Sequence, residues 1–300
     1  MLKKYASDSS RRFDLILVED YAKADRDLLE KQFQIDPLLL EYVDDKNGPA
    51  RIESDDSLED TVIVFWVPIS ERSHSEPISV IFHKQQMFVF LNSKMIFIHD
   101  TIMDLLEQSE GDRVNFLLDL LQLTLNKYLD IISNLFERTE HIQTHLSSHR
   151  NSRNFENLTR VNRSVVFLRS AVKENADCFS QIHAFFKDAH VEVQTTAARK
   201  LRKLNLAVRQ STRLIDLISE NVEQLSDAYD RLINNDLNAI MRFLTVWSLL
   251  LAIPPIVSGF YGMNMHLPLA AGSLAWLISL IVTVILMVAL IIYLHHHHSL

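Results

Sequence analysis

The chain has 300 residues, a formal net charge of −8 and one cysteine, so it lacks both a disulfide framework and a cysteine-cluster zinc site. All 30 Lys and Arg and all 38 Asp and Glu residues precede Phe243, which favours a soluble part fused to a membrane part over a wholly soluble protein. The acidic balance and the lack of a strongly basic segment argue against nucleic acid as a partner.

The first 110 residues predict a small α/β domain. Strands are predicted at Phe13–Glu19, Thr61–Val67, Ile78–His83, Met87–Leu91 and Met95–His99. The last two would form a hairpin through a turn at residues 92–93. Helices are predicted at 23–33 and 37–43, the second with Asp36 as its N-cap and proline at its first position.

The next part of the chain predicts three long helices. From Asp112 to Ile253 there is neither Gly nor Pro over 142 residues, and breaks fall only near 147–154 and 190–196. We therefore expect helices at roughly 112–148, 154–189 and 195–261. Mostly apolar residues recur in steps of three and four, which is typical of coiled-coil packing. The first series is Leu158, Val161, Val165, Leu168, Val172, Phe179, Ile182 and Phe186, and the second is Leu201, Leu204, Val208, Ser211, Ile215, Ile218, Val222, Leu225, Tyr229 and Leu232.

Two segments are long and apolar enough to cross a membrane. Residues 243–261 and 274–294 contain no Asp, Glu, Lys or Arg. As helices they reach about 28 Å and about 31 Å, enough for a hydrocarbon core of about 30 Å. Twelve residues join them, so a transmembrane hairpin is predicted. A hairpin buried in a soluble protein is the alternative.

Topology follows from the chain start and the flanking charges. The opening MLKKYASDSS lacks the apolar region of a signal peptide, so the charged part is expected to stay in the cytoplasm. Two spans then return the C-terminus to that side of the cell (plasma or inner) membrane, with Arg231 and Arg242 flanking the first span. The predicted domains are a cytosolic α/β domain at 1–110, a cytosolic helical stalk at 111–242 and a transmembrane hairpin at 243–300.

One face of the third long helix carries two consecutive stripes in steps of three and four. The acidic stripe is Asp216, Glu220, Glu223, Asp227 and Asp230. The uncharged stripe continues it with Asn234, Asn238, Met241, Thr245, Ser248, Ala252, Pro255 and Gly259. Several copies of such a helix can enclose a channel, in which rings of carboxylates select cations. Alternatively, the small residues are helix-packing contacts and the acids are a solvated coiled-coil face.

The end of the first span carries a family resemblance. It reads SGFYGMNMHLP, and Tyr261, Gly262, Met263 and Asn264 resemble the Gly-Met-Asn signature of the CorA-type magnesium and cobalt transporter family. The stretches NDLNAIMRFLT and FQIDPLLLEYVDD resemble the same family, so the resemblance covers the whole chain, more loosely in the first 150 residues.

The resemblance implies an architecture and a function. It implies a funnel-shaped homopentamer in the lipid bilayer, with the first span lining the pore and the second facing lipid. It implies transport of Mg²⁺, with Co²⁺ or Ni²⁺ as further ions, and no cofactor. The four motif residues would form the selectivity filter, in which Asn264 meets the metal ion through its water shell.

The sequence also departs from the family pattern. The loop after the motif, MHLPLAAGS, contains His266 and no acid, which predicts poorer cation enrichment outside. In the family, regulatory cytosolic Mg²⁺ bridges an N-domain carboxylate and an upper-stalk carboxylate of neighbouring subunits. Here residues 193–215 contain six basic residues and no Asp or Glu. We therefore expect weak inhibition by cytosolic Mg²⁺ or closure through Glu220 and Glu223.

Other interpretations remain open at this point. In one, the N-domain acids Asp55, Asp56, Glu59 and Asp60 pair directly with the stalk cations. The terminal run 295–298 is either native or an artificial tail. A zinc transporter of the same fold and a membrane-anchored coiled-coil scaffold without transport are the competing functions. An enzyme is not expected, because the sequence has no nucleophile–base constellation, P-loop or dinucleotide fingerprint.

Overall fold

The computed structural model of the chain falls into two compact units. Residues 1–226 form the first and residues 227–300 the second, and each is described by itself. The structure describes residues 2–7, 12–45, 48–54, 60–69, 74–108, 112–145, 152–188, 195–263 and 275–296. The division into three domains at 110/111 and 242/243 stays a prediction.

A six-stranded mixed sheet organises the first unit. Its strands are β1 (Leu2–Tyr5), β2 (Asp14–Glu19), β3 (Arg51–Ser54), β4 (Asp60–Pro68), β5 (Ser75–His83) and β6 (Gln86–Leu91). They lie in the order β1-β2-β6-β5-β4-β3. Only the central β2–β6 pair is parallel, and all other neighbours are antiparallel. Four of the five predicted strands are confirmed, and β1 and β3 are edge strands that the sequence analysis does not contain.

The predicted strand at Met95–His99, and with it the hairpin, is wrong. This segment opens helix α3 (Ile96–Gln108) instead. The Asn92 side chain accepts a hydrogen bond from the Lys94 amide at 3.0 Å, and the Met95 amide donates to the Asn92 carbonyl at 2.9 Å. This turn directs the chain into the helix, where Met95, Ile98 and Ile102 are buried in steps of three and four. Helical burial therefore overrides the β propensity of the run.

Helices cover both faces of the sheet. Side chains alternate along each strand, so Leu15 and Leu17 join one apolar cluster while Ile16 and Val18 join the other. Helices α1 (Lys23–Gln32) and α2 (Pro37–Asp44) supply the second cluster with Leu29, Leu39 and Leu40. The predicted N-cap of α2 is confirmed, because the Asp36 carboxylate accepts from the Leu38 amide at 2.9 Å.

The other face of the sheet is covered by long helices. These are α3, α4 (Arg113–His145), α5 (Ser152–Asp188) and the beginning of α6 (Thr195–Tyr261). The predicted bounds of the three long helices are confirmed to within about three residues. The residues predicted at coiled-coil spacing are buried from Leu158 to Ile182 in α5 and from Leu201 to Leu225 in α6, whereas Tyr229 and Leu232 are half-buried.

One polar contact fixes α5 against the sheet. Strand β3 pairs only with the first half of β4, which leaves the Trp66 backbone without a strand partner on that side. The fully buried Asn175 of α5 satisfies it, accepting from the Trp66 amide and donating to the Trp66 carbonyl, both at 2.8 Å. A side-chain amide thus replaces a ladder partner.

The second unit holds the end of α6 and α7 (Ala275–His296). Both helices are long and apolar enough to cross a membrane, as predicted. Pro254 and Pro255 lie inside α6, which continues through them to Tyr261. Val246 and Val257 are buried, whereas none of the described side chains of α7 is.

Candidate functional site

Both predicted stripes lie on α6, which is helical from Thr195 to Tyr261. An α-helix turns by about 100° per residue, so steps of three and four keep the two stripes on one side of it. The acidic stripe spans the end of the first unit and the start of the second. The uncharged stripe lies wholly in the second.

Every residue of the uncharged stripe is exposed. Among the described residues of the same segment, only Val246 and Val257 are buried, and they lie roughly half a turn away, at about 100° per residue. The stripe side of this helix is therefore uncovered within the described chain. That side is available to other copies of the chain.

The hydroxyl group of Thr245 is oriented by its own helix. Its Oγ1 donates to the Met241 carbonyl at 2.8 Å. Because the proton is used inside the helix, the oxygen keeps its lone pairs as acceptors on the stripe. An exposed acceptor without a competing donor suits a cation or the water molecules around one.

Two glycines at the end of α6 differ in their surroundings. A Cβ at Gly262 would lie 3.2 Å from the Ser258 carbonyl oxygen, in the turn where the Gly262 amide donates to that oxygen at 2.9 Å. A Cβ at Gly259 would meet nothing within 4 Å. Local packing thus limits residue size at Gly262. At Gly259 the described residues impose no such limit.

The predicted filter is described only in part. Tyr261 is half-buried, and Gly262 and Met263 are exposed at the end of α6. Asn264, the predicted contact to the hydrated metal ion, and His266 lie outside the described residues. The first three residues of the motif therefore lie at the end of the first predicted span.

Asp216 differs from the other four acids of the acidic stripe. It lies against α5, where Arg169 Nε and Lys173 Nζ approach its Oδ1 to 2.9 Å and 3.0 Å. Partial burial acts to raise the pKa of Asp216, but hydrogen bonds and charge from Lys173 and Arg169 outweigh it and hold the pKa below its ordinary value.

The remaining acids, Glu220, Glu223, Asp227 and Asp230, are exposed, and none has an ion pair among the described residues. Glu220 and Glu223 of the first unit and Asp227 and Asp230 of the second thus lie exposed on α6, while Asp216 serves the α5–α6 contact.

Two of the residues considered for regulation have partners within the chain. Lys200 of the upper stalk pairs with Asp119 of α4 at 2.6 Å, and Asp60 contacts the buried His83. Asp55, Asp56 and Glu59 lie outside the described residues. Within the described ranges, no three His, Cys, Asp or Glu side chains are arranged to hold a metal ion.

The first unit contains a cavity of about 630 Å³ that was not predicted from the sequence. Its wall includes Tyr21, Trp66, Glu76, Phe167 and Glu174, which come from strand ends and from α5. It shares no residue with either stripe. No sequence pattern could have indicated it, because its residues are as much as 150 positions apart and share no periodicity.

Comparison with known proteins gives a consistent result. The model of the family described as "CorA-like Mg2+ transporter protein" matches residues 13–296. The cobalt/magnesium transport protein CorA of Methanocaldococcus jannaschii is 24% identical over 287 residues, 91% of this chain and 88% of that protein. Its complete structure superposes with a TM-score of 0.78 at 18% identity, covering 95% of this chain and 90% of that one.

Two further solved structures share the fold. The full-length CmaX protein has a TM-score of 0.72 at 14% identity, covering 93% of this chain and 88% of that one. The ZntB cytoplasmic domain from Vibrio parahaemolyticus has a TM-score of 0.60 at 10% identity, covering 76% and 91%. At these identities the structural likeness shows the fold alone.

Proposed function

Because this chain belongs to the CorA-like Mg²⁺ transporter family, whose members are transporters and not enzymes, we propose that it conducts Mg²⁺ across the cell membrane. The path is a pore lined by the uncharged stripe of α6 in a homo-oligomer. Co²⁺ and Ni²⁺ are further candidate ions.

The observation that carries this proposal is the position of the uncharged stripe. It is exposed along the whole membrane part of α6, on the side opposite Val246 and Val257. A face turned to lipid would favour large apolar side chains, yet this face carries Thr245, Ser248 and Gly259. Small and hydroxylic residues fit a face shared by several copies around a water-filled path.

The filter suits an ion that keeps its water shell. Mg²⁺ dehydrates reluctantly, so a ring of Asn264 amide oxygens and nearby backbone carbonyls would accept hydrogen bonds from its bound water. Neutral acceptors hold such an ion weakly enough to release it again. Tyr261, Gly262 and Met263 would set the width of the ring.

The acidic stripe would form the cytosolic end of the path. Glu220, Glu223, Asp227 and Asp230 have no ion pairs among the described residues, so in an oligomer they would repeat as rings that attract cations. An inside-negative potential drives uptake, worth about 4.6 kcal/mol per 100 mV for a divalent ion.

We propose a homopentamer in the plasma or inner membrane with both termini in the cytoplasm. Its three domains would be the α/β domain at 1–110, the stalk at 111–242 and the hairpin at 243–300. All described side chains of α7 are exposed or half-buried, which supports a position facing lipid. Lys200 pairs with Asp119, and this engaged upper stalk supports weak regulation by cytosolic Mg²⁺.

Zinc transport is the nearest alternative. Zn²⁺ prefers imidazole and thiolate ligands, whereas the stripe and the motif offer hydroxyl, amide and carbonyl oxygens, which suit Mg²⁺. The likeness to the ZntB cytoplasmic domain concerns the fold and does not choose between the ions.

A liposome assay tests the proposal. The purified full-length chain is reconstituted, and influx of Mg²⁺, Co²⁺, Ni²⁺ and Zn²⁺ is followed in parallel with and without an inside-negative potential. We expect Mg²⁺ influx that increases with the potential. A matched variant, Gly259→Leu, should block it by filling the stripe side, because a side chain there meets nothing in its own chain. Faster Zn²⁺ influx would favour the zinc transporter, and no influx of any ion would favour the scaffold.

A further inference from the structure

We propose that the backbone carbonyl of Leu251 forms an additional binding site for a hydrated divalent cation, near the middle of the membrane part of α6. This inference rests on the proposed function, because only a conducting oligomer gathers several copies of Leu251 around one path. The site consists of backbone alone, and the tandem Pro254 and Pro255 inside α6 create it.

Leu251 lacks both helical donors. A helical carbonyl accepts from the N–H four residues ahead or, in a tighter turn, three residues ahead. For Leu251 these residues are Pro255 and Pro254, and neither has an N–H. Leu250 keeps Ile253 as a donor, and Ala252 keeps Ile256. Among the residues that precede the two prolines, Leu251 is therefore the one whose carbonyl loses both helical N–H donors.

Local side chains cannot replace these donors. A serine or threonine in a helix reaches back to the carbonyl three or four residues earlier. Thr245 bonds to the Met241 carbonyl at 2.8 Å and Ser258 to the Pro255 carbonyl at 3.2 Å in this way. The positions from which a hydroxyl would reach Leu251 are again the two prolines.

The free carbonyl lies on the uncharged stripe. A helical carbonyl points toward the residue four positions ahead, so the Leu251 oxygen lies beside the ring of Pro255, a stripe residue that is exposed like Ala252. An unsatisfied carbonyl is costly in hydrocarbon but is tolerated where it lines a water-filled cavity. There it accepts hydrogen bonds from the water shell that Mg²⁺ retains.

A proline variant of the full-length oligomer tests the site in liposomes. Pro255→Ala restores the regular N–H that closes the Leu251 carbonyl, so we expect it to lower Mg²⁺ flux about tenfold. A Pro255→Ala flux within about twofold of the wild type would overturn the site.

An ester substitution separates the carbonyl from the proline ring. Lactic acid at position 255, introduced by nonsense suppression, has neither ring nor N–H, so it should return the flux to within about twofold of the wild type. An ester variant as slow as Pro255→Ala would assign the effect to the ring and overturn the proposal. If Pro255→Ala does not elute as the intact oligomer, Pro255→Gly, which also restores the N–H, takes its place.

The outcomes distinguish this site from the proposed function. Wild-type protein that moves no divalent ion overturns both. Normal wild-type flux with an equally fast Pro255→Ala overturns the carbonyl site alone and leaves the transport function standing.

Discussion

The two units of the chain bury their apolar residues in different ways. In residues 1–226 the sheet side chains, such as Leu17, Phe65 and Phe82, are completely buried by the chain itself. In residues 227–300 only Val246 and Val257 are buried among the described residues, although the segment after Met241 is far more apolar. The first unit buries its apolar side chains in its own core, whereas those of the second unit must contact lipid or other copies of the chain.

This difference explains which residues carry function in each unit. In the first unit, polar side chains are engaged locally, as Asn175 with Trp66 and Lys200 with Asp119. In the membrane part of the second, exposed residues include large apolar ones, such as Trp247 and Phe260, and the small or hydroxylic residues of the uncharged stripe from Thr245 to Gly259. Lipid and other copies of the chain are the two surroundings that fit these two faces.

The largest expected effect comes from the filter. Asn264→Ala removes the side-chain acceptor of the motif, so Mg²⁺ influx into liposomes should fall to the background of protein-free vesicles. The oligomer should remain intact on size-exclusion chromatography. Asn235→Ala, which removes the same amide from an exposed position off the stripe, is the control and should conduct normally. Influx within twofold of the wild type in Asn264→Ala would refute the filter assignment.

Alanine substitution of one isoleucine in each unit compares how much burial in the chain's own core contributes to stability. Ile81 is completely buried in β5, and Ile256 is 68% exposed on α6. Ile81→Ala should lower the free energy of unfolding by about 2–5 kcal/mol, through lost burial and the cavity left behind. Ile256→Ala should change it by less than about 1 kcal/mol, because this side chain has few neighbours in its own chain.

The measurement is denaturant unfolding of the full chain in detergent. The chain has three tryptophans, so Trp66 reports on the first unit when Trp247 and Trp276 are replaced by Phe, and Trp247 reports on the second when Trp66 and Trp276 are replaced by Phe. An equal loss in both variants would contradict the contrast between the units. It would show that Ile256 is packed as tightly as a core residue.

Much of the fold could be predicted from the sequence, because its strongest signals are local. The absence of Gly and Pro from 112 to 253, together with the breaks near 147–154 and 190–196, predicted the bounds of α4, α5 and α6 to within about three residues. The strands β1 and β3 were not predicted. Each has only four residues and carries charged side chains, which are typical of sheet edges and interrupt the alternating apolar pattern. The strand at Met95–His99 was predicted wrongly because a short apolar, β-branched run fits either a strand or a helix. Which of the two forms depends on the residues that pack against it.

The candidate site could be predicted along α6 but not across helices. Steps of three and four were enough to place both stripes on one side. The partners of Asp216 come from α5, and Arg169 is 47 residues away in sequence, so no periodicity could tell this acid from Glu220. A pattern on one helix gives the face of a residue, whereas pairing depends on which helix packs against that face.

The acidic stripe gives an intermediate effect. Asp227→Asn combined with Asp230→Asn removes two exposed charges per subunit, so Mg²⁺ flux at low ionic strength should fall about threefold to tenfold. The difference should shrink in high salt, because exposed charges are then screened. Asp216→Asn is the control, since Arg169 and Lys173 already compensate that charge, and its flux should stay near the wild-type value.

Cysteine labelling distinguishes a pore position from an outer face. Burial raises the pKa of the native Cys178 to about 12, so this thiol should stay unmodified in the folded protein. In Asp227→Cys a soluble thiol reagent then reports on position 227 alone. Labelling that blocks Mg²⁺ flux would place the residue on the path, and labelling without a block would place it on the outer face.

The smallest expected effect is the pH dependence carried by Asp216. Lys173 and Arg169 hold its pKa below the ordinary value of 3.8, so its charge stabilises the folded state above that pH. The stabilisation is lost as the pH falls through the lowered folded-state pKa, where the carboxylate takes up a proton.

Asp216→Asn should therefore lower the free energy of unfolding by about 0.5–1 kcal/mol at pH 7, the range of a solvent-screened ion pair. Denaturant unfolding of wild type and variant between pH 7 and pH 2.5 should show this difference constant down to about pH 4 and vanishing below it. Asp227→Asn, whose carboxylate has no ion pair among the described residues, is the control and should show no such step. A step of equal size in both variants would mean that Asp216 gains nothing from α5 and belongs with the open acids of the stripe.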